Sequence, residues 1–111
     1  CALMHPAAER MRERLKQLKI EIPHIPVLHN AHLQVENNAD AIRDALVRQV
    51  ESPVRWVETI QKMAADGVDK LVECGPGKVL AGLNKRISKE TQTLSVYDPE
   101  TLRQARAALG A

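Results

Sequence analysis

Aromatic side chains are nearly missing from these 111 residues: there is no Phe, one Trp (Trp56) and one Tyr (Tyr97). The core must therefore be aliphatic, built from Leu, Val, Ile, Ala and Met. The net charge is only +2. Nucleic-acid partners ask for a concentrated basic face and, for single strands, aromatic platforms, so none is expected. No apolar run approaches the roughly 20 residues of a membrane span, so no membrane partner is expected. No signal-peptide pattern is visible. Cysteine is scarce too. Cys1 and Cys74 form no close-spaced pair and read as reduced thiols of a cytoplasmic protein.

What is present is ordinary for a soluble globular chain: 44% hydrophobic and 27% charged residues. The length suits one domain, which would bury roughly 65% of its unfolded surface. The chain starts at Cys1, without Met, and a helical pattern begins within a few residues. It reads as a chain cut into.

Leu3, Met4, Ala7, Ala8, Met11, Leu15 and Leu18 recur at three- and four-residue steps, which predicts an amphipathic helix over 3–19. Its Arg10, Arg12, Arg14, Lys16 and Lys19 alternate with Glu9 and Glu13 as a solvated face. Pro23 and Pro26 forbid helix, and Ile25–Asn30 reads as a short buried strand. Asn38 or Asp40 caps a helix that carries Ile42, Ala45, Leu46 and Val50 on one face. Ser52 as N-cap and Pro53 at the first helical position restart the pattern. Val57, Ile60, Met63 and Ala64 continue it, and Gly67 ends it. Leu71–Cys74 reads as a central parallel strand. Val79, Leu80, Leu83 and Ile87 form another helical stripe, and Thr93–Val96 a third strand. Asp98 caps and Pro99 opens a last helix with Leu102, Ala105, Arg106 and Leu109 in register. Strands alternate with helices, so the fold class is α/β with a mainly parallel sheet. Three short strands are few for five helices, which suggests part of a larger domain.

The turn Gly75-Pro76-Gly77-Lys78 invites a phosphate-loop reading, and it fails the test. A Walker A loop needs four residues between its first Gly and the Gly-Lys pair, then Ser or Thr. Here Val79 follows Lys78 directly. A dinucleotide fingerprint needs a third Gly where Leu80 stands. Pro76 lacks an N–H for any cradle. The turn is a tight strand-to-helix connection at the carboxyl end of a strand, where active sites of parallel sheets gather. His24, His29 and His32 match no zinc spacing, so no metal site is expected. No Ser has a nucleophile-elbow context; Ser52, Ser88 and Ser95 read as cap or surface residues. Cys74 at a buried strand end reads as an inert thiol.

Three stretches together carry a resemblance: "CALMHPAAERMRERL", "RDALVRQVESPVRWVETI" and "VECGPGKVLAGLNKRI". In this order and spacing the chain resembles the C-terminal third of FabD-type malonyl-CoA:acyl carrier protein transacylases. The resemblance covers nearly the whole chain. Gln49-x-x-x-Pro53-Val54-x-Trp56 combined with Glu73-x-Gly75-Pro76-Gly77 is its specific part. It implies the C-terminal part of an α/β-hydrolase-like acyltransferase domain over 1–111. The nucleophile-bearing part and the small ferredoxin-like subdomain would lie outside this sequence.

The resemblance further implies ping-pong transfer of malonyl from coenzyme A to acyl carrier protein, with no cofactor beyond the thioester substrate. In the family a Ser in a GHSLG elbow carries the acyl group, a His activates each nucleophile, and an Arg holds the malonyl carboxylate. The family His sits in a "SHCALM" segment, immediately before the residue matched by Cys1; His5 is not its counterpart. The elbow Ser and the Arg lie further upstream. Gln49 matches the residue whose main-chain carbonyl holds the His, with a polar helix-end residue as the plain alternative. Val79 matches a position near the acyl pocket, with core packing as the alternative, and Gly75 and Gly77 border the site. Partners implied are malonyl-CoA, acyl carrier protein and the N-terminal part of the same enzyme. The isolated chain is expected to be inactive. Rival readings are a segment of a polyketide synthase acyltransferase domain, or a non-catalytic module that docks carrier protein. The ending "DPETLRQARAALGA" reads as a natural terminus, which favours the freestanding enzyme.

Overall fold

A computed structural model describes residues 1–111. The chain divides into two compact units, Cys1–Thr59 and Ile60–Ala111. None of its helices is long and apolar enough to cross a membrane.

In the first unit a 3-10 turn, Ala2–Met4, leads into α1, His5–Lys16, with Pro6 in its first turn, where a missing N–H leaves nothing unpaired. α2, Ala39–Glu51, opens on Asn38, not Asp40: the Asn38 side chain accepts a 2.8 Å hydrogen bond from the Ala41 amide. α1 packs on α2 around Ala8, Leu15 and Val47, with Ile20, Leu46 and Val50 beside them. Arg43 of α2 serves the other helix as well. Its guanidinium donates to the Leu15 carbonyl at 3.1 Å and the Leu18 carbonyl at 2.9 Å, closing the carbonyl end of α1.

The strand expected over Ile25–Asn30 does not form. Only an isolated antiparallel bridge, Leu28 with Val35, remains of it. Pro23 and Pro26 remove amide donors, and Ile25 is 77% exposed. The loop is tied instead by His29 N–H to the Gln34 carbonyl and Leu33 N–H to the His29 carbonyl, both 3.0 Å. Leu33 takes a left-handed φ of 56° to allow it.

Ser52 is also placed differently from expectation. It terminates α2, its hydroxyl donating to the Arg48 carbonyl at 2.6 Å, and α3 begins only at Trp56 (Trp56–Ala65). Pro53 explains the gap, since the residue before a proline is pushed out of helical geometry; Ser52 sits at φ −97°, ψ 151°.

In the second unit Gly67 ends α3 as expected, at φ 94°. Its amide reaches the Ala64 carbonyl and the Val68 amide the Met63 carbonyl, which satisfies two orphan acceptors. Then follow β1 (Lys70–Cys74), α4 (Val79–Ile87), β2 (Gln92–Val96) and α5 (Pro99–Leu109). β1 and β2 pair in parallel, Lys70 opposite Gln92 through Cys74 opposite Val96. Within these 111 residues the sheet has two strands, and β1 pairs with β2. Cys74 is exposed rather than buried. Asp98 caps α5: its carboxylate accepts from the Thr101 amide at 2.7 Å, while the Thr101 hydroxyl accepts from the Asp98 amide at 3.1 Å. α4 and α5 both pack on β2, and they bury Ala81, Asn84 and Ala105. The stripe read from the sequence is largely the outward one: Val79, Leu80, Leu83, Leu102 and Leu109 are exposed. Alanines let the helices lie close to the strand, and two strands offer too little surface to cover the larger side chains.

Candidate functional site

The glycine turn joins β1 to α4 in four residues, Gly75–Lys78. Gly75 has φ 137° and Gly77 φ 88°, values that side chains with a Cβ rarely adopt. The Gly75 amide bonds the Val96 carbonyl at 3.0 Å, so the turn is pinned to the end of β2. The amino end of α4, where a phosphate would sit in a nucleotide loop, is already occupied. The Glu73 carboxylate accepts from the Ala81 amide at 2.8 Å and faces the Leu80 amide at 3.4 Å. These are the orphan donors of the first turn, and the helix dipole favours a negative charge there. Lys78, the N-cap, supplies no side-chain cap of its own. Glu73 was missed as a functional candidate. Its signal was present: it is the one acid inside an apolar four-residue run directly before two glycines.

Val79 opens α4 and is 73% exposed. Gly75, Gly77 and Val79 follow one another at the carboxyl end of β1. Lys78 lies over the Tyr97 ring, 5.2 Å from its centroid.

Gln49 belongs to the first unit, in the last turn of α2, and is described there by itself. A helical carbonyl at residue 49 accepts from the amide of residue 53. Residue 53 is proline and has no N–H. Hence Gln49-x-x-x-Pro53 leaves a carbonyl without its ladder partner, by construction. The neighbouring carbonyls are served differently. Arg48 receives the Ser52 hydroxyl, and the Glu51 carbonyl lies 2.6 Å from the Cys1 nitrogen. His5 Nδ1 lies 3.0 Å from the Glu51 carboxylate. The first residues of the chain therefore meet the carbonyl end of α2, although 46 to 50 residues separate these partners in sequence.

His24 is exposed and stands apart, while His29 and His32 form a local cluster. His29 and His32 stack with centroids 5.6 Å apart, and His32 Nε2 lies 2.7 Å from the Glu36 carboxylate. Burial is the main cause that lowers the His29 pKa; His32 adds to it and Glu36 opposes it. No group of three ligating side chains converges anywhere in the chain. Ser88 spends its hydroxyl on Thr91 at 2.7 Å, and Ser95 lies half-buried on β2.

No protein-family model matches the sequence. Individual relatives do. The malonyl CoA-acyl carrier protein transacylase of Haemophilus influenzae is 54% identical over 98 residues, 88% of this chain and 31% of the relative. Among solved structures, an acyl carrier protein S-malonyltransferase from Vibrio cholerae superposes with a TM-score of 0.90 at 47% identity, over 95% of this chain and 34% of that one. A malonyl-transacylase in complex with a type II PKS acyl-carrier protein gives a TM-score of 0.93 at 42% identity, over 97% and 35%. The chain spans about a third of the length of the relatives it matches.

Proposed function

We propose that this chain, which belongs to the FabD-type malonyl CoA-acyl carrier protein transacylases as their C-terminal segment, contributes residues to malonyl transfer in a longer enzyme. The observation that carries this reading is the match itself. High identity and a TM-score of 0.90 run over 95% of the chain, and the relatives' names state the reaction. The substrates are malonyl-CoA and acyl carrier protein, no cofactor takes part, and the enzyme works in the cytoplasm.

The chemistry is two acyl transfers through one ester. A Ser hydroxyl upstream of this chain attacks the thioester carbonyl. Its proton passes by way of a His to the departing coenzyme A thiol. The carrier's pantetheine thiol then attacks the ester, gives up its proton to the His, and the proton returns to Ser as the ester breaks. The His stands directly before Cys1. Gln49 orients it through its main-chain carbonyl, accepting from the imidazole N–H and fixing the tautomer that takes the proton. Two features support this role: Pro53 leaves that carbonyl without its ladder amide, and His5, near the start of the chain, meets the same helix end. Val79 borders the acyl pocket, and Gly75 and Gly77 shape its rim, held in place by Glu73.

Neither rival gains support. The matched relatives are named as transacylases, which favours neither a polyketide synthase acyltransferase segment nor a module without catalysis. The test is mass-spectrometric detection of malonyl on acyl carrier protein. The longer protein transfers malonyl from malonyl-CoA, and the 111-residue chain alone does not. Absence of transfer by the longer protein contradicts the reading.

A further inference from the structure

We propose that the cavity between α4, β2 and α5 binds a phosphate-class oxyanion, apart from the glycine turn. The cavity measures about 370 Å³ and lies wholly within the second unit. Lys78 and Lys85 line it together with Thr93 and Ser95, and no carboxylate does. The ion pairs of this unit join Lys62 with Asp66, Lys70 with Asp69 and Arg103 with Glu100. Neither cavity lysine joins one. Asp98 stays ionised through its hydrogen bonds from Thr101 and attracts Lys78, which also lies over the Tyr97 ring, so Lys85 is the less opposed cation of the cavity. A lysine without an acid partner, beside a second one that is partly offset, matches an anionic ligand.

The floor supplies hydrogen bonds. Thr93 and Ser95 are two residues apart on β2, so they face the same side of the sheet. The Thr93 hydroxyl is buried and has no hydrogen-bond partner, a condition that folded proteins rarely leave unanswered. A phosphate oxygen accepting from it removes that deficit.

The wall supplies the space. Gly82 lies in the middle of α4, where glycine weakens a helix. No crowding requires it: a Cβ there would meet nothing within 4 Å. Its effect is to keep the cavity open beside Lys85.

This inference does not rest on the acyl-transfer reading, and its test reads binding alone. The intact longer protein is titrated calorimetrically at constant ionic strength with inorganic phosphate and, separately, with a nucleoside monophosphate. Saturable binding of either is expected. Tighter binding of the monophosphate identifies a phosphate ester as the source, and equal binding identifies free phosphate. Lys85→Gln should weaken the binding about tenfold, because one charge-assisted contact is lost. Gly82→Leu, which fills the cavity while favouring the helix, should abolish it in a protein at least as stable as the parent. Lys62→Gln, outside the cavity, should leave it unchanged. The proposal is overturned if neither ligand saturates, or if Lys85→Gln and Gly82→Leu both bind as the parent does.

Discussion

The two units treat their apolar residues in opposite ways. In Cys1–Thr59 the helical stripes meet each other: Ala8 and Leu15 of α1 close on Val47 of α2, with Ile20, Leu46 and Val50 at the edge. In Ile60–Ala111 the helices face their strand with alanine, and the leucines and valines of α4 and α5 point outward. The same period of three and four residues therefore marks a core in one unit and a bare surface in the other. Periodicity identifies the apolar face of a helix; what covers that face depends on the neighbours present. Exposed apolar patches of this kind are where further protein packs.

Truncating one leucine in each unit tests this contrast most strongly. Leu15→Ala should destabilise the chain by about 2–4 kcal/mol in urea unfolding, because a buried side chain leaves a cavity. Leu83→Ala, on the exposed face of α4, should stay within about 0.5 kcal/mol. Equal effects would erase the distinction.

A middle-sized effect is expected at the β1–α4 junction. Glu73→Ala removes the acceptor for the Ala81 amide and should cost about 1–2 kcal/mol, the range for a lost helix cap. Glu73→Gln keeps an acceptor oxygen without the charge and should recover part of the loss. Amide exchange at Leu80 and Ala81 reads both. Unchanged exchange in the alanine variant would remove Glu73 from the account of the turn.

Acid should affect the two units in different pH ranges. His29 in the first unit is held neutral by burial, so its folded pKa lies below the ordinary 6.5. The unfolded chain takes up the proton first. The stability this contributes is complete above 6.5 and is lost as the pH falls through the lower folded value. Asp98 in the second unit is held below 3.8, chiefly by its hydrogen bonds from Thr101. Its contribution is present above 3.8 and disappears only as the pH falls through that lower value. His29→Asn should therefore flatten the stability profile in mildly acidic solution. Asp98→Asn, which still caps but does not titrate, should flatten it only in strong acid and by less. A profile that Asp98→Asn changes and His29→Asn does not would reverse the assignment.

Much of the fold was legible because local chemistry fixed it. Asn38, Gly67 and the Asp98–Pro99 start each carry a mechanism that works without knowledge of neighbours. The failures arose where a partner decides. Ile25–Asn30 has strand composition, but its prolines remove donors and no second strand lies alongside. Ser52-Pro53 has the form of a helix start, yet the proline acts first on the helix before it. At the site, the two glycines were legible from their spacing. Glu73 was not, because its role depends on the turn bringing a strand carboxylate onto the next helix. The role proposed for the Gln49 carbonyl was reached through family resemblance, although a proline four residues on, which removes that carbonyl's ladder amide, stands in the sequence.

In the proposed function Pro53 keeps the Gln49 carbonyl available to orient a His of the longer protein. The direct measurement is the malonyl-transfer rate of the longer protein carrying Pro53→Ala, beside Gln49→Ala. Alanine at 53 allows α2 to continue and offers the missing amide to that carbonyl. The account predicts that Pro53→Ala lowers kcat roughly ten- to hundredfold, the scale of a misplaced catalytic group, while Gln49→Ala, which keeps the carbonyl, retains most activity. Parent-like turnover in Pro53→Ala, or a larger loss in Gln49→Ala than in Pro53→Ala, would contradict it.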